Sequence, residues 1–96
     1  MQITIEGKSY ESGKVTAAQS RRALELNIEA LDMAAVAITL KETKDPAGTC
    51  SMLSTLAKNL DGKAALINEV FNDQFDAMRL SAAEINAIIN EIVKGS

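Results

Sequence analysis

Residues 71–93 read FNDQFDAMRLSAAEINAIINEIV and carry the most regular apolar repeat in the chain. Ser81 and Glu84 have the spacing of a capping box, in which each side chain accepts the backbone N–H of the other residue. A helix is therefore predicted to begin at Ala82. Apolar side chains then recur every third or fourth residue, at Ile85, Ile88, Ile89, Ile92 and Val93. This amphipathic helix needs a surface against which it can bury one face.

The composition is typical of a small helical protein. Ala, Leu, Ile and Met carry most of the apolar fraction of 47%, and the only aromatic residues among the 96 are Tyr10, Phe71 and Phe75. A domain of this length buries only about 60–65% of its unfolded surface, so we expect a free energy of unfolding of roughly 5–10 kcal/mol. Association into a homo-oligomer is one way in which such a chain could bury more.

Charge and residue content argue against several functions. The net charge is −3 and no basic cluster extends beyond Arg21-Arg22, which argues against nucleic-acid binding. The chain has no His and one cysteine, Cys50, which excludes His-dependent triads and nearly all zinc sites; we expect a buried or inert thiol. No apolar run reaches 18 residues, and the start MQITIEGK lacks a signal-peptide pattern. We therefore expect no cofactor, no membrane contact and a location in the cytoplasm.

The first residues predict a β-hairpin. Ile3 and Ile5 alternate with polar residues, and Glu6-Gly7 forms a two-residue turn before residues 8–11. An isolated hairpin is marginally stable in water, so its apolar face should cover the core of the domain. The alternative is that an exposed strand edge pairs with a neighbouring chain.

A second capping box begins the next element. Thr16 and Gln19 have the required spacing and predict a helix from about Ala17. Apolar residues follow at heptad spacing, at Leu24, Ile28, Leu31, Ala35 and Ile38. A coiled coil requires three to four heptads, and this series is shorter. We interpret it as the core-facing stripe of an ordinary amphipathic helix.

A loop and a turn are predicted in the middle of the chain. Polar residues, Pro46 and Gly48 interrupt the apolar pattern and predict a loop. A short helix is expected next, capped by Thr49 or Ser51, and Asp61-Gly62 predicts a turn or sharp bend after it.

These elements together predict a mainly α fold, a small helical domain of four to five helices with a short N-terminal β-hairpin. The expected layout is a single domain over residues 1–96, with a hairpin over 1–12, a helical segment over 16–40, a loop over 41–50 and a helical region over 51–94.

No catalytic arrangement is apparent. Asp73 and Asp76 could share one helix face, the minimum for a cation site or an acid–base pair, but no His or third ligand accompanies them. The five glycines are scattered, without the spacing of a phosphate-binding loop. We interpret the two carboxylates as a solvated surface and predict that the protein is not an enzyme.

Several short motifs occur in an order that resembles a known family. They are the hairpin ITIEGKSY, Val15-Thr16-Ala17 before a helix with Arg22 and Leu24, the segment EVFNDQF at residues 69–75, and a closing helix with Glu84-Ile85 and Ile88-Ile89. This order is similar to that of the small tail assembly chaperones of long-tailed phages and prophages of Gram-positive bacteria, in which an aromatic residue, an amide-rich pair, Gln and Phe recur before the last helix. The chain departs from the family after Phe75, where DAMRL replaces an acidic turn with a glycine.

The resemblance implies a role in assembly. Members of the family bind the long, largely helical tape measure protein, keep it soluble and help to recruit the tail tube protein. We expect an apolar surface near the last two helices to bind this partner through Phe71, Phe75, Ile85, Ile89 and Ile92. The alternative is that all five form the core. A second hypothesis for the protein is a small phage- or prophage-encoded adaptor or regulatory protein that binds a host protein.

Overall fold

The computed structural model describes residues 1–95, which form a β-hairpin followed by three α-helices. The elements are β1 (Gln2–Ile5), β2 (Lys8–Glu11), α1 (Ala17–Glu42), α2 (Pro46–Val70), a 3-10 turn at Ala77–Arg79 and α3 (Ala82–Val93). The mainly helical fold with an N-terminal hairpin is confirmed. The expected number of four to five helices is wrong, because two of the predicted helices are one.

The hairpin follows the sequence pattern closely. Ile3 pairs with Tyr10 and Ile5 with Lys8 in an antiparallel register. Positive φ angles of 51° at Glu6 and 78° at Gly7 correspond to a type I′ turn, whose twist matches that of the strands. Ile3, Ile5 and Tyr10 pack against the hydrophobic core, which confirms the prediction that the hairpin covers it.

The predicted loop over residues 41–50 is reduced to a three-residue connection between α1 and α2. The Asp45 carboxylate accepts the N–H of Gly48 at 3.0 Å and caps α2, and Pro46 occupies its first turn. Pro is favoured there because its missing N–H would have no helical partner in any case. The expected caps, Thr49 and Ser51, therefore lie inside the helix.

The predicted turn at Asp61-Gly62 is also absent, since α2 continues through it to Val70. A glycine in a helix interior costs only about 1 kcal/mol relative to alanine, which packing on one face can offset. Gly62 lies beside α1, where an added Cβ would stand 3.5 Å from Leu26 Cδ2. This continuity explains why α2 replaces two predicted helices.

Both predicted capping boxes are present. Thr16 Oγ1 accepts the N–H of Gln19 at 3.1 Å, and the Gln19 side chain accepts the N–H of Thr16 at 3.0 Å. Ser81 and Glu84 make the equivalent pair of bonds at 3.2 and 3.1 Å. The starts of α1 and α3 are therefore fixed by local side-chain chemistry.

The hydrophobic core lies at one end of the α1–α2 pair. Its buried members are Val15, Ala23, Leu26, Ala64, Leu66, Ile67, Val70, Phe71, Ala77, Ile85, Ile88, Ile89 and Ile92. α3 runs antiparallel to α1, since Ser20 Oγ donates to the Val93 carbonyl at 2.9 Å and Asn27 Nδ2 donates to Asn90 Oδ1 at 3.1 Å. At 1.5 Å per residue α3 is about 18 Å long and α1 about 39 Å, so α3 covers only part of α1.

The molecule is elongated, with principal extents of 45 × 27 × 16 Å. We call residues 28–58 the arm and residues 1–27 with 59–95 the body. Among the described residues, no helix is both long enough and apolar enough to cross a membrane.

Candidate partner-binding surface

The five residues predicted to bind a partner belong mostly to the core of the body. Phe71, Ile89 and Ile92 have no exposed surface, Ile85 is buried, and Phe75 is partly buried. This burial favours the alternative that they stabilise the fold. Their part in partner binding stays a prediction, and in the folded chain only Phe75 presents appreciable surface.

The segment FNDQF, residues 71–75, contacts both the hairpin and the end of α2. The ring centroid of Phe75 lies 4.8 Å from that of Tyr10 and 5.4 Å from that of Phe71. Gln74 Nε2 donates to the carbonyl of Glu11 in β2 at 2.7 Å. Phe75 and Gln74 therefore join the strands to the end of α2.

The same segment ends α2 with a Schellman motif. The N–H of Asp73 donates to the Asn68 carbonyl at 2.8 Å and that of Asn72 to the Glu69 carbonyl at 3.2 Å, with Asn72 at a φ of 52°. The Asn68 side chain then accepts the N–H of Ala77 at 2.8 Å and holds the following turn. The motif that carries the family resemblance thus has a structural role in this chain.

The exposed apolar surface lies elsewhere, on the outer face of α1. The heptad series at Leu24, Ile28, Leu31, Ala35 and Ile38, predicted to face the core, is exposed along its whole length. Leu31 is 71% exposed and Ile38 is 60% exposed. We call these five residues the outer stripe, and the prediction that they face the core is wrong.

A second heptad series accounts for the difference. The residues that α1 buries or half-buries at this spacing are Ala23, Leu26, Ala30, Met33, Ala37 and Leu40. Alanine alternates there with a larger side chain, so α2 can approach α1 closely. With about 3.6 residues per turn, the two series fall on nearly opposite sides of the helix. α1 is therefore apolar on two faces, and the described residues cover only one of them.

Most of the large exposed apolar side chains lie in the arm. Ala37 is its one buried residue, and its large exposed apolar side chains are Ile28, Leu31, Val36, Ile38 and Leu53. Scattered single apolar residues are normal on a protein surface, whereas a contiguous row marks an interaction site. The outer stripe is the strongest candidate for such a site among residues 1–95.

A groove beside the outer stripe contains a buried cation. It has a volume of about 450 Å³ and is lined by Asn27, Ala30, Leu31, Ala34, Leu56, Lys63, Asn86 and Asn90. Lys63 is 4% exposed, and its Nζ donates to Asn86 Oδ1 at 2.9 Å. Burial lowers the pKa of Lys63 below its ordinary value, because desolvation disfavours the ammonium. Sequence analysis gave no sign of this site, since the lysine and the three amides come from different helices.

Of the two carboxylates Asp73 and Asp76, the second has structural partners. Asp76 caps the 3-10 turn by accepting the N–H of Met78 at 3.0 Å, and it lies 3.9 Å from the guanidinium of Arg79. Within residues 1–95 no three His, Cys, Asp or Glu side chains cluster in a way that could hold a metal ion. Cys50 is exposed on α2, so of the expected buried or inert thiol the buried alternative is wrong, and its inertness stays a prediction.

Comparisons with protein-family models, with curated proteins and with solved structures found no match to this chain.

Proposed function

We propose that the protein is a tail assembly chaperone of a long-tailed phage or prophage, which binds the tape measure protein, keeps it soluble and helps to recruit the tail tube protein. The observation that carries the proposal is the outer stripe of α1. A helix that is apolar on two opposite faces is usually covered on both. In this chain α2 and the core occupy one face, and the row from Leu24 to Ile38 is left for a partner.

The spacing of the outer stripe favours a helical partner. Side chains at alternating intervals of four and three residues present knobs and holes to a second helix. The stripe spans 15 residues, a length of about 21 Å or four helical turns. Two heptads are too few for a stable coiled coil, so each contact should be weak and reversible. Several copies bound along one long helical protein would suit a chaperone that later leaves.

The family resemblance supports the identity of that partner. The hairpin, the FNDQF segment and the closing helix follow the order of the family, whose members bind the tape measure protein. In this fold those motifs build the body, whereas the outer stripe lies mainly on the arm. We therefore assign partner binding to the outer stripe and leave Phe71, Ile89 and Ile92 as core residues.

Co-expression with the tape measure protein of the same genome tests the proposal. We expect the partner to become soluble only with this chain, and size-exclusion chromatography with light scattering to give several copies per partner. Leu31→Asp should abolish co-elution because it places a charge in the outer stripe. Ser54→Asp adds the same charge at an exposed site of α2 and should leave it intact.

Two results would contradict the proposal. The tape measure protein could stay insoluble while this chain elutes alone, or Leu31→Asp could bind as well as the unmodified chain while remaining folded. The outer stripe also suits a helical host protein, which is the alternative role as an adaptor or regulator. Stoichiometric capture of one identified host protein, lost in Leu31→Asp and kept in Ser54→Asp, would favour that alternative.

A further inference from the structure

Lys63 is a buried cation without an anionic partner. Its ammonium has one hydrogen bond, to the neutral amide oxygen of Asn86, and no carboxylate among the described residues pairs with it. The arginine ion pairs of the chain, such as that of Arg22 with Glu25, lie on the exposed surface. Burying a charge is costly unless an opposite charge or several hydrogen bonds compensate it. The site therefore lacks a negatively charged group.

Hydrogen-bond donors outnumber acceptors around this ammonium. A lysine ammonium has three N–H donors, and one of them is used by Asn86 Oδ1. Asn86 uses its oxygen for this bond, so its Nδ2 keeps both hydrogens. Asn90 Oδ1 accepts from Asn27, so the Nδ2 of Asn90 also keeps its hydrogens. A group that only accepts hydrogen bonds, such as a carboxylate, would match these donors.

The shape of the groove restricts what can carry the carboxylate. Ala30, Leu31, Ala34 and Leu56 form its apolar walls, so a ligand should bring methylene groups as well as charge. A volume of about 450 Å³ accommodates one side chain of a partner and part of its backbone. Leu31 belongs to both the groove wall and the outer stripe, so one helix lying on the stripe can reach the groove.

We infer that the groove binds the carboxylate of an Asp or Glu side chain on the partner helix, with Lys63, Asn86 and Asn90 as donors. The inference relies on the proposed function for the identity of the partner, whereas the affinity for a carboxylate follows from the groove itself. A row of apolar residues interrupted by one acidic residue is thus the expected recognition pattern. The groove sets the position of that residue along the partner.

Sodium butyrate and neutral butyramide test the site without the partner. They are nearly equal in shape and differ in charge, and NMR can follow the side-chain amides of Asn86 and Asn90 in the whole chain. We expect saturable shifts with butyrate and none with butyramide. The shifts should disappear in Lys63→Met and persist in Lys58→Met, which removes an exposed cation of α2. Equal shifts with both compounds, no saturable shift with butyrate, or unchanged binding by Lys63→Met would overturn the inference.

The complex with the tape measure protein provides the second measurement. A charge-assisted hydrogen bond contributes about 1.5–3 kcal/mol, so Lys63→Met should weaken binding of a tape measure fragment about 10- to 100-fold. Replacing the matching Glu of the fragment by Gln should have the same effect, with no further loss in the doubly changed complex. Butyrate binding without any tape measure binding would reject the proposed function alone. Equal affinity of the fragment for Lys63→Met and the unmodified chain would reject the groove alone.

Discussion

The body and the arm contain parts of the same two long helices, yet the body buries its apolar side chains and the arm leaves many of its own exposed. The whole core cluster lies in the body, where α3 packs on α1 and α2 and the hairpin packs against the cluster. In the arm the two helices cover only each other, and the outer stripe continues along α1 with none of residues 1–95 packed above it. Buried and exposed apolar surface are therefore separated along the same pair of helices.

The arm remains helical for reasons that lie partly in the body. Starting a helix is the unfavourable step, and α1 begins in the body at a capping box. Extending it requires only residues that tolerate a helix, and Ala, Leu and Met supply them in the arm. The arm consequently needs few buried contacts of its own. This leaves its outer face available for a partner.

Introducing a charge at matched positions in the two regions should give the largest difference. Ile89 is fully buried in α3, so Ile89→Asp places a carboxylate where water does not reach it. We expect a loss of more than about 4 kcal/mol, enough to unfold much of the protein. Leu31→Asp in the arm should change the free energy of unfolding by less than about 0.5 kcal/mol. Urea denaturation followed by circular dichroism measures both, and a stably folded Ile89→Asp would return Ile89 to the candidate partner contacts.

Removal of the Phe75 ring should give a smaller effect that is localised within the body. Phe75→Ala loses the contacts with Tyr10 and Phe71, and because the ring is only partly buried we expect a cost of about 2 kcal/mol. Amide hydrogen exchange should accelerate mainly in β1 and β2, since Phe75 joins the hairpin to α2. Phe75→Leu is the matched control and should retain about half of the lost stability. Faster exchange in the arm with no change in the hairpin would contradict this account.

Local chemistry explains which parts of the fold were predictable. The turn at Glu6-Gly7 and the boxes at Thr16 and Ser81 were found because a few neighbouring residues determine each. The start of α2 was missed because Asp45 followed by Pro46 competes with Thr49 and Ser51 as a cap, and only the structure distinguishes them.

Long-range packing explains what was not predictable. Two apolar series run along nearly opposite sides of α1, and the sequence favoured the one with larger side chains as the core face. The structure buries the one with more alanine, which lets α1 and α2 approach closely. The sequence alone could not separate core from surface among the candidate partner-binding residues for a related reason, since Phe71 and Ile89 have the apolar character that either location requires. The groove at Lys63 forms where three helices meet, so no local sequence pattern indicates it.

Replacement of Lys63 tests the cost of placing a cation where the body meets the arm. Lys63→Met keeps the apolar stem and removes the buried ammonium, so we expect stability at neutral pH to rise by about 1 kcal/mol. The pKa of Lys63 is lowered in the folded state, so between that pKa and the unfolded value of 10.5 the unfolded chain binds more protons. The unmodified protein should therefore gain stability through this window, and the advantage of Lys63→Met should shrink as pH rises.

The exposed Lys58 provides the control for this measurement. Lys58→Met removes the same charge from α2 without relieving burial, so its effect on stability should be close to zero. Within the described residues Lys63 is the only titratable side chain that lines its groove, which simplifies the interpretation. A pH dependence shared by both variants would assign the change to overall charge instead.

Relief of backbone strain at the tip of the arm should have the smallest effect. Lys44 has a φ of 58° in the Schellman motif that ends α1, where Asp45 N–H donates to the Leu40 carbonyl at 2.9 Å. A side chain disfavours this left-handed conformation and glycine does not, so Lys44→Gly should raise the free energy of unfolding by about 0.5–1 kcal/mol. Lys44→Ala loses the same charge but keeps a Cβ, and it should give no gain in urea denaturation. Asn72→Gly, at the equivalent position of the body, should gain less because asparagine tolerates the conformation. If Lys44→Gly and Lys44→Ala raised the free energy of unfolding equally, the effect would be due to charge. The backbone at Lys44 would then be no more strained than the backbone at Asn72.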